Sequence, residues 1–204
     1  MTRVPIATRC PSLESLQSAP PSGLLSKGRD AAREVVEDEL LGGLDLTSLH
    51  YAAEQGDVDM IRGHLAKHPG DIDKTNEQGM TALVIAAKNK RGDFVERLLE
   101  HEPKVDLADD ENGWTALHWA SVNGDLAILK LLLGESRAYM YVDLLDKERR
   151  SGLHLAAKSG HADAVQLLLD HKADSRLTDV WGKTPFDWAA IAGRQSVMRV
   201  LPPN

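Results

Sequence analysis

The chain has 204 residues, 42% of them apolar, a formal charge of −7 and a single cysteine, Cys10. That apolar content suits one domain with a continuous core, and the acidic balance gives no pull toward nucleic acid or an anionic membrane surface. One cysteine excludes an intramolecular disulfide and a cysteine-rich metal site, and no run approaches the roughly 18 apolar residues of a membrane span.

Charge is unevenly spread. Residues 1–29 carry Arg3, Arg9, Lys27 and Arg29 against Glu14 alone, whereas residues 30–204 hold 20 basic and 30 acidic side chains. Residues 1–25, interrupted by Pro5, Pro11, Pro20 and Pro21, read as an unstructured tail without the apolar run of a secretory signal. Their serines and scarcity of acids keep a mitochondrial targeting peptide over 1–29 open as a second reading. Residues 26–43 follow as a capping helix: Ala32, Val35, Val36 and Leu40 share one helical stripe, and Gly42-Gly43 stops it.

From residue 44 the chain repeats itself. Thr47-Ser48-Leu49-His50-Tyr51-Ala52-Ala53 returns as Thr81-Ala82-Leu83-Val84-Ile85-Ala86-Ala87 and as Thr115-Ala116-Leu117-His118-Trp119-Ala120-Ser121. It returns again as Ser151-Gly152-Leu153-His154-Leu155-Ala156-Ala157 and Thr184-Pro185-Phe186-Asp187-Trp188-Ala189-Ala190. In each block the hydroxyl residue is placed to cap a helix through the Ala-Ala pair. Glycine ends that helix at Gly56, Gly124, Gly160 and Gly193. A second helix carries Met60-Ile61, Leu98-Leu99, Leu131-Leu132 or Leu167-Leu168, and Asp/Asn/Gly-rich turns then predict protruding hairpin loops.

Five phased copies, with their hydroxyl residues 34, 34, 36 and 33 residues apart, resemble the ankyrin-repeat family, whose signature is Thr-Pro-Leu-His-x-Ala. The closest copy is Ser151-Gly152-Leu153-His154-Leu155-Ala156-Ala157-Lys158-Ser159-Gly160-His161. The resemblance implies an all-α repeat solenoid of helix–turn–helix pairs with β-hairpin loops. Its repeats span about 44–76, 77–110, 111–146, 147–179 and 180–204. Departures are expected to matter: proline stands in its family place only at Pro185, Val84 and Asp187 replace the histidine, and Asn89-Lys90-Arg91-Gly92 reads as a lengthened inter-helix turn. An insertion around Glu135–Tyr141 accounts for the long third repeat. Met1 and the polar last repeat favour a self-contained chain.

Catalytic chemistry is not expected. His50, His118 and His154 hold one slot in separate repeats, about 8–10 Å apart at best by helix packing, whereas zinc ligands sit about 2.0–2.1 Å from the metal. They read as structural histidines bonded to the backbone of neighbouring turns, and His161 likewise. Nucleophile-elbow, phosphate-loop and dinucleotide motifs are missing, and Asp109-Asp110-Glu111 reads as a solvated acidic hairpin. No catalytic residue, cofactor or metal is assigned.

What the resemblance implies is protein recognition through hairpin tips and the concave ends of the first helices. By phase, the candidate partner-binding residues are Met80, Trp114, Trp119, Asn123, Arg150, Lys158, Trp181, Lys183 and Trp188. Trp114 and Trp181 stand out because tryptophan on a turn either binds a partner or folds back over its own repeat. Lys147, Arg149 and Arg150 either receive an acidic partner or offset Asp146 and Glu148, the second being favoured. The expectation is a monomeric, non-catalytic scaffold or adaptor in the cytosol or nucleus, binding another protein rather than nucleic acid or membrane. The alternatives are a small enzyme with an unrecognised pocket and a recognition fragment of a larger signalling protein.

Overall fold

A computed structural model describes residues 48–134 and 141–201. The expected tail at 1–25, the capping helix at 26–43, the targeting reading and most of the insertion at 135–141 lie outside them. The described residues belong to one compact unit.

Among the described residues ten α-helices form five pairs: α1 (Ser48–Gln55) with α2 (Asp59–Lys67), α3 (Ala82–Lys88) with α4 (Gly92–Leu99), α5 (Ala116–Asn123) with α6 (Leu126–Leu133), α7 (Gly152–Ser159) with α8 (Ala162–Asp170), and α9 (Pro185–Ile191) with α10 (Gln195–Val200). A 3-10 turn, Pro69–Asp73, follows α2. First helices pack in a row, α1 on α3, α3 on α5, α5 on α7 and α7 on α9, and α4, α6, α8 and α10 form a second row. No repeat encloses its own core, so stability comes from stacking.

The packing follows the block pattern. Ala52, Ala53, Ala86, Ala87, Ala120, Ala156, Ala157 and Ala189 are fully buried, letting neighbouring first helices approach closely. Ser121 takes the second alanine slot of its block, and its Oγ would lie 2.7 Å from a Cβ on Gly152, so this serine and that glycine form a matched pair. The second helices contribute Ile61, Phe94, Leu98, Ile128, Leu129, Val165, Leu168 and Val197 to the same buried cluster.

Helix starts match the expectation and refine it. Thr81 Oγ1 accepts from the Val84 N–H at 3.3 Å. At α5 and α7 the histidine completes the cap: the Thr115 N–H donates to His118 Nδ1 at 3.2 Å, and the Ser151 N–H to His154 Nδ1 at 3.1 Å. This is a reciprocal capping box in which imidazole does the work usually done by a carboxylate or amide.

The inter-helix turn of the second repeat is not lengthened, contrary to the sequence reading. Lys90 occupies the slot nine residues after the hydroxyl, where the other blocks have glycine, and adopts the same left-handed conformation, φ 59°. Asp109 is also not part of a solvated hairpin, because it is only 5% exposed and has work to do there.

Candidate functional site

Each hairpin is built around one buried or shielded Asx residue. Asn76 Oδ1 accepts the N–H groups of Gln78 and Met80. Asp109 Oδ1 accepts those of Asn112, Gly113 and Trp114. Asp146 Oδ1 takes Glu148 and Arg150, and Asp179 Oδ1 takes Trp181 and Lys183. Among the described residues no strand forms, and one isolated bridge joins Ala108 to Thr115. The hairpins are instead joined to one another. The Asp110 N–H donates to Gln78 O at 2.9 Å, Lys147 N–H to Asn112 O at 3.0 Å, and Val180 N–H to Glu148 O at 3.0 Å. In every case the acceptor lies three residues before the hydroxyl of its block.

The second oxygen of these aspartates holds tryptophan. Trp119 Nε1 donates to Asp109 Oδ2 at 3.1 Å, Trp188 Nε1 to Asp179 Oδ2 at 2.7 Å, and Trp114 Nε1 to Asp146 Oδ2 at 2.9 Å. Trp114 meets Trp119 edge to face at 4.7 Å, and Trp181 meets Trp188 in the same manner at 6.0 Å. A lysine from the preceding repeat lies over each inner indole, Lys88 Nζ 4.9 Å from the Trp119 ring and Lys158 Nζ 4.3 Å from Trp188. The third and fifth repeats thus carry the same unit: a hairpin aspartate, a tip tryptophan, an inner tryptophan and a lysine roof. Such aromatic–cation contacts fix both partners while the ammonium keeps donors for a ligand.

Burial opposes ionisation of Asp179, but the Lys183 N–H, the Trp188 indole and the Trp181 N–H outweigh it and hold the carboxyl below its ordinary range.

The nine candidate residues divide. Trp114, Trp119, Trp181, Trp188 and Lys158 come together in the two units just described. Met80 is not a projecting tip residue; it is 6% exposed, packed in the core with its Sδ 3.9 Å from Lys88 Nζ. Asn123 spends its amide on the Ala87 and Lys88 carbonyls. Arg150 is shielded, its guanidinium paired with Asp146 at 2.8 Å and Glu148 at 2.5 Å and lying 5.9 Å from the Trp114 ring. Here the offsetting reading describes the geometry. The Lys183 backbone is engaged at both ends, and its side chain is exposed. Trp114 folds back and is covered by the next hairpin, whereas Trp181 is 56% exposed.

Two recurring contacts went unseen in the sequence reading. The Asx slot at Asn76, Asp109, Asp146 and Asp179 recurs at nearly the repeat period and would have marked itself. The residue after the helix-ending slot also recurs: the Arg91 guanidinium donates to Glu54 O, His161 Nε2 to Val122 O at 3.0 Å, and Arg194 Nε to Lys158 O at 3.1 Å. Each lies across the glycine of the preceding repeat, Gly56, Gly124 and Gly160 in turn. Lys90 carries a side chain at that slot, and the next repeat has Asp125 and Asn123 in place of an overlying cation.

The buried histidines bond as expected. His50 Nε2 reaches Lys74 O at 2.8 Å, His118 Nε2 reaches Arg150 O at 3.2 Å, and His154 Nε2 reaches Lys183 O at 3.2 Å. For His118 and His154, Nδ1 faces a backbone N–H that can only donate, so Nε2 carries the proton. Burial lowers all three below the ordinary 6.5. In the fifth block Asp187 takes the histidine's part in a reciprocal cap, accepting from the Thr184 N–H at 2.9 Å while its own N–H donates to Thr184 Oγ1 at 3.3 Å.

One cluster has the elements of nucleophilic chemistry. Ser48 Oγ lies 2.5 Å from His64 Nδ1, and His64 Nε2 lies 2.9 Å from Asp71 Oδ2. The hydroxyl belongs to the first residue of α1 and is almost fully buried, leaving no place for a substrate carbonyl. The cluster ties α1, α2 and the 3-10 turn together. Elsewhere a cleft of about 340 Å³ opens between Glu54, Gln78, Met80, Ile85, Lys88, Asn89 and Arg91, beside the Lys88–Trp119 contact. Among the described residues no group of three His, Cys, Asp or Glu side chains is placed to hold a metal ion.

Stacked helix pairs with interlocked hairpins define a repeat solenoid of the kind that binds other macromolecules on its loops and helix ends. A family profile described as ankyrin repeats (3 copies) matches residues 49–143 and 140–203, so the chain belongs to the ankyrin-repeat family. It is 31% identical over 157 residues to E3 ubiquitin-protein ligase XBAT33 of Arabidopsis thaliana, covering 65% of this chain and 30% of that protein. It is 31% identical over 179 residues to ankyrin repeat protein nuc-2 of Neurospora crassa, covering 87% and 16%. To human inversin it is 30% identical over 187 residues, covering 76% and 18%. The chain therefore spans less than a third of the length of these relatives. Ankyrin repeats generally mediate binding to other proteins.

Proposed function

We propose that this chain is a non-catalytic, monomeric recognition module that binds a partner protein along the ends of its first helices and its hairpin tips. The observation that carries the reading is the repeated unit of the third and fifth repeats. The inner tryptophans Trp119 and Trp188 are locked by the buried Asp109 and Asp179, each meets a second tryptophan edge to face, and Lys88 and Lys158 lie over them. Rigid aromatic anchors are what interface hot spots are made of, because little side-chain entropy remains to be lost on binding. The acidic balance of residues 30–204 supports a protein partner over nucleic acid or membrane, and the single cysteine suits the cytosol or nucleus.

The test is affinity capture with wild type and with a Lys88→Glu/Lys158→Glu variant. Both lysines sit on helix ends, and their reversal leaves the core intact. Loss of the captured partner is expected; equal recovery by both proteins rejects the helix-end surface as the binding site.

A further inference from the structure

Seven residues after its hydroxyl, each block places one residue at or next to the end of its first helix: Glu54, Lys88, Val122, Lys158 and Ile191. The carbonyls of the first four are each held by a side chain of the following repeat. Arg91 donates to Glu54 O, Asn123 Nδ2 to Lys88 O at 3.2 Å, His161 Nε2 to Val122 O at 3.0 Å and Arg194 Nε to Lys158 O at 3.1 Å. The backbone of the row is thereby fixed at the spacing of the stack while its side chains stay at the surface. Glu54, Lys158 and Ile191 are exposed, and Lys88 and Val122 are half-buried.

Along the stack the row runs acidic, basic, apolar, basic, apolar. Its two ammonium groups stand out in a chain of net charge −7. Arg97, Arg150 and Arg176 are paired with carboxylates of their own repeats. Lys88 Nζ instead touches Met80 Sδ and the Trp119 ring, and Lys158 Nζ lies over the Trp188 ring. Among the described residues neither is paired with an acid. A lysine steadied on an indole face and lacking a carboxylate is an anion contact set in place beforehand. The cleft of about 340 Å³ beside Lys88 gives an incoming side chain room.

The spacing selects the backbone of the ligand. Packed helices lie about 8–10 Å apart. A β-strand returns to the same side every two residues, about 6.6 Å, and an α-helix every turn, about 5.4 Å. A polyproline-type chain returns every three residues, about 9.3 Å, in step with the row.

We propose that this row binds an extended, polyproline-like segment of a partner protein with two acidic residues six apart, facing Lys88 and Lys158. An apolar residue midway between them faces Val122, and a second, three beyond the acid on Lys158, faces Ile191. A basic residue three from the acid on Lys88 meets Glu54. The inference rests on the reading that the chain recognises proteins along its first-helix ends, and names the ligand of that surface.

The test is a fluorescence-anisotropy titration of the full chain with fluorescein-labelled Arg-Pro-Pro-Glu-Pro-Pro-Leu-Pro-Pro-Glu-Pro-Pro-Leu and with the same residues in reverse order. One of the two should bind saturably. Moving its second glutamate one position along turns that carboxylate about 120° off the face. This change, and Lys88→Glu/Lys158→Glu in the protein, should each weaken binding about tenfold. A peptide with both glutamates replaced by lysine should bind that variant more tightly than wild type, which also shows the variant to be folded. No saturable binding by either peptide, equal binding of the shifted one, or tighter binding of a helical peptide with the same residues seven apart would each overturn the proposal. If the peptides fail while the charge-reversed protein still loses its captured partner, the recognition surface stands and this ligand is rejected.

Discussion

The third and fifth repeats carry the same tryptophan unit in different surroundings. In the third, Trp114 is sealed by Asp146 and Arg150 of the following hairpin, and His118 reaches across to Arg150 O. In the fifth, Trp181 is open, and Asp187 replaces the reaching histidine with a cap that serves only its own helix. The inner tryptophans share a slot, four residues after the hydroxyl, but the outer ones do not: Trp114 stands one residue before the hydroxyl and Trp181 three before it, so they differ in position as well as in their neighbours.

The sharpest way to break this comparison is to remove the aspartate from each unit. Asp109→Ala strands three backbone N–H groups and the Trp119 indole in a buried hairpin and should lower unfolding free energy by about 3 kcal/mol. Asp179→Ala strands fewer groups beside an open face and should lower it by about 1–2 kcal/mol. Urea titrations of both variants check this; equal losses would mean that the following repeat contributes nothing to the joint. The tryptophans give the next contrast. Trp114→Ala should destabilise by about 2 kcal/mol, since it is packed and bonded, whereas Trp181→Ala should stay within about 0.5 kcal/mol as a surface change.

The fold was legible because its signals recur. Five copies of one block fix the helix pairs, the hydroxyl caps and the structural histidines, and these stand in the structure except for the cap expected of Thr47, which lies outside the described residues. What was hidden lies between blocks. Met80 and Arg150 occupy tip positions by phase, yet one packs inward and the other is held by two acids of its own hairpin. A polar residue next to a turn reads the same whether it faces water or the next repeat, so counting along the chain cannot separate these cases. Lys90 misled for a related reason: without its expected glycine, an unchanged turn looked longer.

Acid should sharpen the contrast between middle and end. The unfolded chain binds protons at histidine near the ordinary value of 6.5, while His50, His118 and His154 resist protonation in the folded state. Their contribution is full above that pH and is lost as pH falls through it toward the lowered folded values. The slope approaches about 1.4 kcal/mol per pH unit for each histidine where only the unfolded chain is protonated. Asp187 is held below its ordinary 3.8 chiefly by the Thr184 N–H, so its contribution survives until far lower pH. Hydrogen exchange at pH 5.5 should therefore accelerate at Thr115 and Ser151 before Thr184; a uniform response would contradict the histidine assignment.

The smallest effect tests whether the repeat register has been assigned correctly. Lys90 at φ 59° fills the slot of the left-handed Gly56, Gly124, Gly160 and Gly193, and Arg149 at φ 61° that of Gly79, Gly113 and Gly182. Side chains with a Cβ carry a penalty of about 1 kcal/mol there, so Lys90→Gly and Arg149→Gly should each raise stability by nearly that amount despite the added freedom of the unfolded chain. The reverse exchange is not symmetric. A Cβ at Gly124 would come within 2.5 Å of the His161 ring, so Gly124→Lys must also displace the bond from His161 to Val122 O. Thermal melts should show Lys90→Gly above wild type and Gly124→Lys well below it. Equal and opposite shifts would mean that backbone strain acts alone and that the side chain lying across each glycine does not help hold one repeat on the next.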